Sequence, residues 1–326
     1  MTELYFLDEN FRIVEGPVED MTSVVWSERY FEPGTFTFHF PRELVKRIGG
    51  ASYVRSGVNS AGQVFCGRIE YLRADTDGDC EMGGRFLECL LDDRVLMSGT
   101  HSGTVTEAVL DAVLGNLRQS PVRIGEDQAQ IPEQVTLTAG WEQMSDWLYT
   151  VLRPYGASFR VNLSHDDVPE FSVVQGRSLS GVIFSASFGN IFSIGTKRDS
   201  SGMKNAVYVE GSDGTVVLAD LSGGAELREM HQKAADIAPG AFETEEEYRG
   251  ALLRRGYGIL AKHPEEFAVS AEIDSDALPV YGVDYRLGDV CDVVDEELGV
   301  QVALPLTQVD WVTENGRTSV YPVFGL

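Results

Sequence analysis

The chain opens with apolar and polar residues alternating over short runs, the two-residue period of strands. Leu4–Leu7 and residues 11–14 are apolar stretches separated by Asp8-Glu9-Asn10, which predicts a hairpin. Residues 24–31 form a second run, turned by Glu32-Pro33-Gly34, where proline presets φ and glycine supplies a positive one. Phe36, Phe38 and Phe40 then alternate with Thr37 and His39, so three rings share one face. That face must be covered by residues from elsewhere in the chain.

A helical turn over 43–48, ended by Gly49-Gly50, precedes more short strands: 53–54, 64–72 and a continuation at 85–91 whose period fits strand or helix. The period changes at 106–117, where Val109, Leu110, Val113, Leu114 and Leu117 share a helical face behind a Thr104-x-x-Glu107 capping box. A second helix is predicted over 141–152, with Trp141 and Trp147 as core, stopped by Pro154-Tyr155-Gly156. Strands follow at 157–163 and 170–174, joined by a polar turn at 164–167. Largely apolar 182–194, then 205–211 and 214–218, continue the β signal. Two helices, 226–237 and 244–260, interrupt it, the second behind another capping box, Thr244-x-x-Glu247. Leu227, Met230 and Ala234, then Tyr248, Leu252 and Ile259, give this pair apolar stripes. Strands return at 266–273, 290–294, 300–304, 308–313 and 318–323, with Asn315-Gly316 as the strongest hairpin signal of the chain.

The expected class is therefore α+β and β-rich, organised as a β region at residues 1–98, a mixed α+β part at 99–175, and a second β region at 176–326 carrying a helical hairpin at about 226–262. At 326 residues, one ordinary core does not suffice, and 43% hydrophobic with 24% charged residues is a globular balance. The 26 Lys and Arg against 51 Asp and Glu give a net charge of −25, which argues against a broad phosphate-binding surface and so against tightly held nucleic acid. Neither the N-terminus nor any internal run has the length and apolarity of a signal or a membrane span, so a soluble protein made in the cytoplasm is expected.

Candidate chemistry is sparse. Cys66, Cys80, Cys89 and Cys291 lack the C-x-x-C spacing of a zinc site, and reduced thiols are expected. Gly99-Thr100-His101-Ser102-Gly103 misses the G-x-S-x-G elbow because its serine is off centre, and reads as a loop. Asp75, Asp77 and Asp79 resemble a calcium loop, but glycine precedes the third aspartate and Phe86 stands where the glutamate belongs, so a hairpin turn is expected. His165-Asp166-Asp167, followed by Pro169, reads as a surface turn, and Gly256-x-Gly258-x-x-Ala261 lies at a helix end where a dinucleotide fingerprint would follow a strand. With 51 acidic residues, carboxylate spacing carries no information on glycoside hydrolysis. No catalytic, cofactor or metal residue is assigned.

Several segments, in order along the chain, resemble the siphovirus ReqiPepy-type tail protein family. They are Trp26, Arg29, Tyr30, the Glu32-Pro33-Gly34 turn, Phe36, Phe38 and Pro41; then Gly84-Arg85-Phe86-Leu87-Glu88-Cys89-Leu90-Leu91-Asp92-Asp93-Arg94. Further on come Val182-Ile183-Phe184-Ser185, Phe188-Gly189-Asn190-Ile191 and Lys204-Asn205-Ala206, and finally Tyr285-Arg286-Leu287-Gly288-Asp289-Val290. The resemblance implies a non-enzymatic hub at the tail tip or baseplate of a phage or prophage, capping or guiding the distal end of the tail tube. It implies two β-barrel domains similar to tube subunits, so that a homotrimer presents a pseudo-sixfold ring to a hexameric tube. Implied partners are the tube or distal tail proteins, the tape measure and receptor-binding proteins, with no cofactor. A hub-associated peptidoglycan hydrolase is the alternative, for which a chain ending at Leu326 after its last strand leaves no appended lytic domain; a carbohydrate-binding host-recognition module with Trp26, Trp141, Trp147 and Trp311 as stacking residues is another.

Overall fold

The computed structural model describes residues 3–325 except 60, 76–78, 243, 274–277, 297, 298 and 315. The predicted opening hairpins are strands β1 (Leu4–Leu7), β2 (Ile13–Val18), β3 (Ser23–Arg29) and β4 (Thr35–Pro41). The turn of helix α1 (Val45–Ile48) leads to β5 (Tyr53–Ser56), β6 (Cys66–Ala74) and β7 (Asp79–Phe86). In the segment left open between strand and helix, β7 ends at Phe86 and Leu87–Leu91 is a tight 3₁₀ turn. Then follow β8 (Val95–Leu96), β9 (Gly99–Thr104), α2 (Val105–Asn116), β10 (Arg123–Ile124), β11 (Gln134–Ala139), β12 (Glu142–Gln143), α3 (Met144–Leu152), β13 (Ala157–Leu163) and β14 (Pro169–Gln175). The remainder is β15 (Ser178–Ser185), β16 (Ile191–Asp199), β17 (Ala206–Gly211), β18 (Val216–Asp220), β19 (Glu229–Ala234), α4 (Glu245–Leu260), β20 (Glu266–Ile273), β21 (Val290–Asp295), β22 (Val300–Glu314) and β23 (Arg317–Gly325).

The chain divides into two units: residues 1–195 with 269–325, and residues 196–268. In the first, strands are ordered β20-β23-β22-β3-β4-β7-β6-β5-β1-β2 in one sheet that β16 extends beyond β20, with β21 and β15 branching from β22. The fold is mostly β, and among the described residues no ladder joins the two ends of this sheet. The two β regions expected as separate bodies meet in antiparallel register along β3 and β22, with Trp26 opposite Trp311, and so belong to one unit. The 15 residues of β22 make this possible: its first half pairs with β21 and its second half with both β23 and β3.

Aromatic side chains cover the face predicted from Phe36, Phe38 and Phe40. Trp26 lies 4.9 Å from Phe38 and 5.5 Å from Phe65 between ring centroids, and Phe65 reaches Trp311 at 6.0 Å. From Trp311 the contacts continue through Tyr281, Tyr285 and Phe184 to Phe324, each step between 5.0 and 5.7 Å. Pairs at such distances contribute about 0.5–1.5 kcal/mol beyond area burial, so this chain of rings fastens the seam between the terminal regions. A second cluster packs α2 and α3 against β13 and β14 through Val109, Val113, Trp147, Leu148, Phe159 and Phe171. The Thr104–Glu107 capping box is present, although Leu114, predicted on the buried face of α2, is exposed.

Tyr30, just past β3, ties this unit together. Its amide donates to the Thr307 carbonyl at 2.8 Å, and the Ser158 hydroxyl donates to the Tyr30 carbonyl. Its phenol donates to the Gly156 carbonyl and accepts from the Gly176 amide, both at 3.0 Å. Gly288 sits at φ 93°, and a Cβ there would lie 2.4 Å from the Tyr30 ring; one on Gly176 would lie 1.8 Å from the Gly288 carbonyl oxygen. The buried Asp289 carboxylate alongside accepts from the Arg177 amide at 2.7 Å, the Arg286 amide at 2.9 Å and the Arg177 guanidinium at 2.7 Å.

Three further expectations change. The stretch read as a loop at Gly99–Gly103 is strand β9, paired residue for residue with β11 from Gly99↔Ala139 to Thr104↔Gln134. Trp141 lies off the helix at φ 59° and is 69% exposed, because Glu142–Gln143 is held extended against β8 and α3 starts only at Met144. The first helix of the expected pair, 226–237, is strand β19, parallel to β17. Met230 and Ala234 are an even number of residues apart and so share a strand face as readily as a helical one, while Leu227, which completed the helical stripe, is exposed. In this second unit α4, behind its Thr244 capping box, packs Tyr248, Leu252 and Leu260 on the sheet β18-β17-β19. Asn315 of the predicted final turn lies outside the described residues; β22 and β23 pair on either side of it.

Gly288→Ala is expected to destabilise the protein by about 3 kcal/mol or more, since it combines a strained φ with a clash against a ring that cannot retreat. Gly115→Ala, at an exposed helical site where a Cβ meets nothing within 4 Å, should instead stabilise by about 0.5–1 kcal/mol. Urea denaturation of both variants checks the pair.

Candidate functional site

The residues singled out in the sequence do not converge. His101 and Ser102 point to opposite faces of β9: the His101 Nδ1 lies 2.6 Å from Asp111 Oδ2, whereas the Ser102 hydroxyl lies 3.1 Å from the Thr136 hydroxyl. A serine nucleophile would need that histidine, and the strand separates them. Asp77 lies outside the described residues. Asp167, at φ 57° in its surface turn, pairs with Arg55 at 2.9 Å. Gly256 is inside α4, where its missing side chain lets the helix approach Ala219 and Val209; a Cβ would come within 2.6 Å of Ala219. Among the described residues no group of three or more His, Cys, Asp or Glu side chains could hold a metal ion. Burial pushes the Cys66 thiol up, and Cys89 and Cys291 up to about 12, so these three stay protonated and unreactive.

The first unit does hold a cavity of about 760 Å³, walled by strand residues from β3, β13 and β14 and by the segments around Phe65, Gln128 and Tyr281. Its lining includes four carboxylates, Glu28, Glu88, Asp127 and Asp289, and four guanidiniums, Arg29, Arg160, Arg177 and Arg286. Glu28 and Glu88 are buried. Glu28 Oε1 accepts from the Trp311 indole at 2.9 Å and from the Tyr281 hydroxyl at 3.1 Å. Glu88 Oε1 faces Arg160 Nη1 at 3.6 Å, an ion pair too long to be a hydrogen bond, while Glu88 Oε2 and Arg160 Nη2 are buried with no hydrogen-bond partner among the described residues.

Both buried glutamates carry raised pKa values, in each case chiefly because burial penalises the charged form. The Trp311 bond opposes this at Glu28, and the Arg160 charge opposes it at Glu88. These residues were missed in the sequence, yet each has a signal. In β3 the inward positions are Val24, Trp26 and Glu28, so strand parity alone puts this glutamate with the core. Glu88 stands inside the apolar run Phe86-Leu87-Glu88-Cys89-Leu90-Leu91.

A carboxyl whose native pKa lies above its unfolded value binds more protons when folded, so its contribution to stability is complete below the ordinary glutamate value of about 4.3 and is lost as pH rises through the native value. Glu28→Gln keeps an acceptor for Trp311 and Tyr281 and cannot ionise. The variant should therefore match the wild type in acid and exceed it at neutral pH by about 1 kcal/mol or more, as thermal melts across pH would record.

In fold, the chain is similar to a tail protein from Neisseria meningitidis MC58, at 14% identity and a TM-score of 0.59, covering 100% of this chain and 96% of that one. It is similar to the 43 kDa tail protein of prophage MuSo2 from Shewanella oneidensis, at 12% identity and a TM-score of 0.58 over 99% and 97% of the two chains. Prophage tail protein gp18 from Listeria monocytogenes EGD-e follows at 13% identity and a TM-score of 0.56 over 99% and 94%. No curated protein matches the chain in sequence. The Siphovirus ReqiPepy6 Gp37-like family matches residues 3–326, and the chain belongs to that family.

Proposed function

We propose that this protein is a structural, non-enzymatic hub at the distal end of a phage tail tube, built as a homotrimer that caps or guides the channel. The observation that carries this reading is the β3–β22 seam. It sets two β arcs side by side in one chain, β3 to β2 on one side and β22 to β16 on the other, as two neighbouring tube subunits would sit. In this reading the regions 1–98 and 176–326 supply the two tube-like halves, the second carrying residues 196–268 as a unit of its own, and 99–175 is the mixed domain between them. Three such chains match a hexameric tube. The partners are then the tube or distal tail proteins, the tape measure and the receptor-binding proteins, and the protein resides at the tip or baseplate of the virion after synthesis in the host cytoplasm.

Light scattering on the purified protein, alone and mixed with tube protein, is expected to give three times the mass of the chain, with ring-shaped particles by negative-stain microscopy. A monomer at every concentration under both conditions overturns the hub reading.

A further inference from the structure

We propose that the 760 Å³ cavity of the first unit binds a neutral saccharide, held through adjacent hydroxyls by Glu88 and Arg160. Its volume lies within the range of about 300–1,000 Å³ that small-molecule sites occupy. The inference stands on this chain's cavity alone and does not need the trimer.

The charges in the wall do not favour a ligand of either net sign. Four carboxylates face four guanidiniums, so the wall has no net sign with which to select an ion. Locally the argument is stronger. An amine placed on Glu88 would lie beside the Arg160 guanidinium, and a carboxylate placed on Arg160 would lie beside Glu88 and within reach of the field of Glu28.

The unsatisfied atoms nevertheless ask for hydrogen bonds. Glu88 is 2% exposed, and although the Glu88 and Val161 amides bond its carboxyl, its Oε2 has no partner among the described residues; Arg160 Nη2 has none either, and the two side chains stand 3.6 Å apart. A hydroxyl both donates and accepts, and two on neighbouring ring carbons match this donor and acceptor side by side. Glu28 adds a further acceptor, since both of its donors land on Oε1. Phe65 and Phe86, with ring centroids 5.6 Å apart, supply an apolar wall for the C–H face of a sugar ring. A polar ligand with one apolar face satisfies all of these groups together.

Ligand-observed NMR with D-glucose, D-galactose and N-acetyl-D-glucosamine at millimolar concentration tests this, with spermidine and citrate as charged probes. At least one sugar should bind, and Glu88→Gln and Arg160→Lys should each weaken it by about tenfold, a change worth ~1.4 kcal/mol. Should these buried substitutions prevent folding, Val64→Trp replaces them. Val64 lines the cavity and is 41% exposed, so a large side chain there obstructs the cavity without entering the core, and the same loss is expected. Absence of binding by all three sugars, binding of a charged probe in their place, or sugar affinity unchanged in every folded variant overturns the proposal.

Discussion

Backbone approaches that only glycine permits at Tyr30 hold the first unit in its arrangement. Gly176 and Gly288 come so close that a single carbon on either would strike the carbonyl oxygen or the aromatic ring opposite. Around that contact the Tyr30 phenol and main chain are bonded to Gly156, Gly176, Ser158 and Thr307, residues that lie 126 or more positions away in sequence. One tyrosine thereby fixes the end of β3, the start of β13, the entry to β15 and the middle of β22. Asp289 secures the same junction by satisfying two backbone amides and the Arg177 guanidinium, which is why a carboxylate can be buried there without an unpaired charge.

The seam and the cavity both follow from this junction. With the end of β3 set against Thr307, the register that puts Trp26 opposite Trp311 continues along the strand. Glu28 is then turned inward toward Trp311 and Tyr281. The seam is fastened by aromatic contacts and ladder hydrogen bonds, while most ion pairs among the described residues, such as Arg29–Glu32 and Arg198–Glu265, lie at the surface and add little. The charge that matters energetically is the small part that is buried, on Asp289 at the junction and on Glu28, Glu88 and Arg160 in the cavity.

A net charge of −25 has a different consequence. It argues against a broad phosphate-binding surface, and any association between copies would have to offset like-charge repulsion through specific contacts.

Local signals were legible wherever the deciding interaction is itself local. The aromatic alternation of β4, both capping boxes and the Phe159 and Phe171 strands could be read because strand parity and N-cap bonds involve neighbours within a few residues. The family was legible as well, through short motifs in a fixed order. Where a local pattern served two geometries, the chain's own neighbours chose between them: Glu229–Ala234 became a strand because β17 offered a parallel partner, and Trp141 left its helix because β12 had to pair with β8. The junction at Tyr30, the joining of the two terminal β regions into one sheet, and the meeting of Glu28, Glu88 and Arg160 in one cavity were decided by tertiary structure alone. Each depends on contacts between residues tens to hundreds of positions apart, and no periodicity or spacing along a chain encodes which distant backbone will arrive within 3 Å of a given ring.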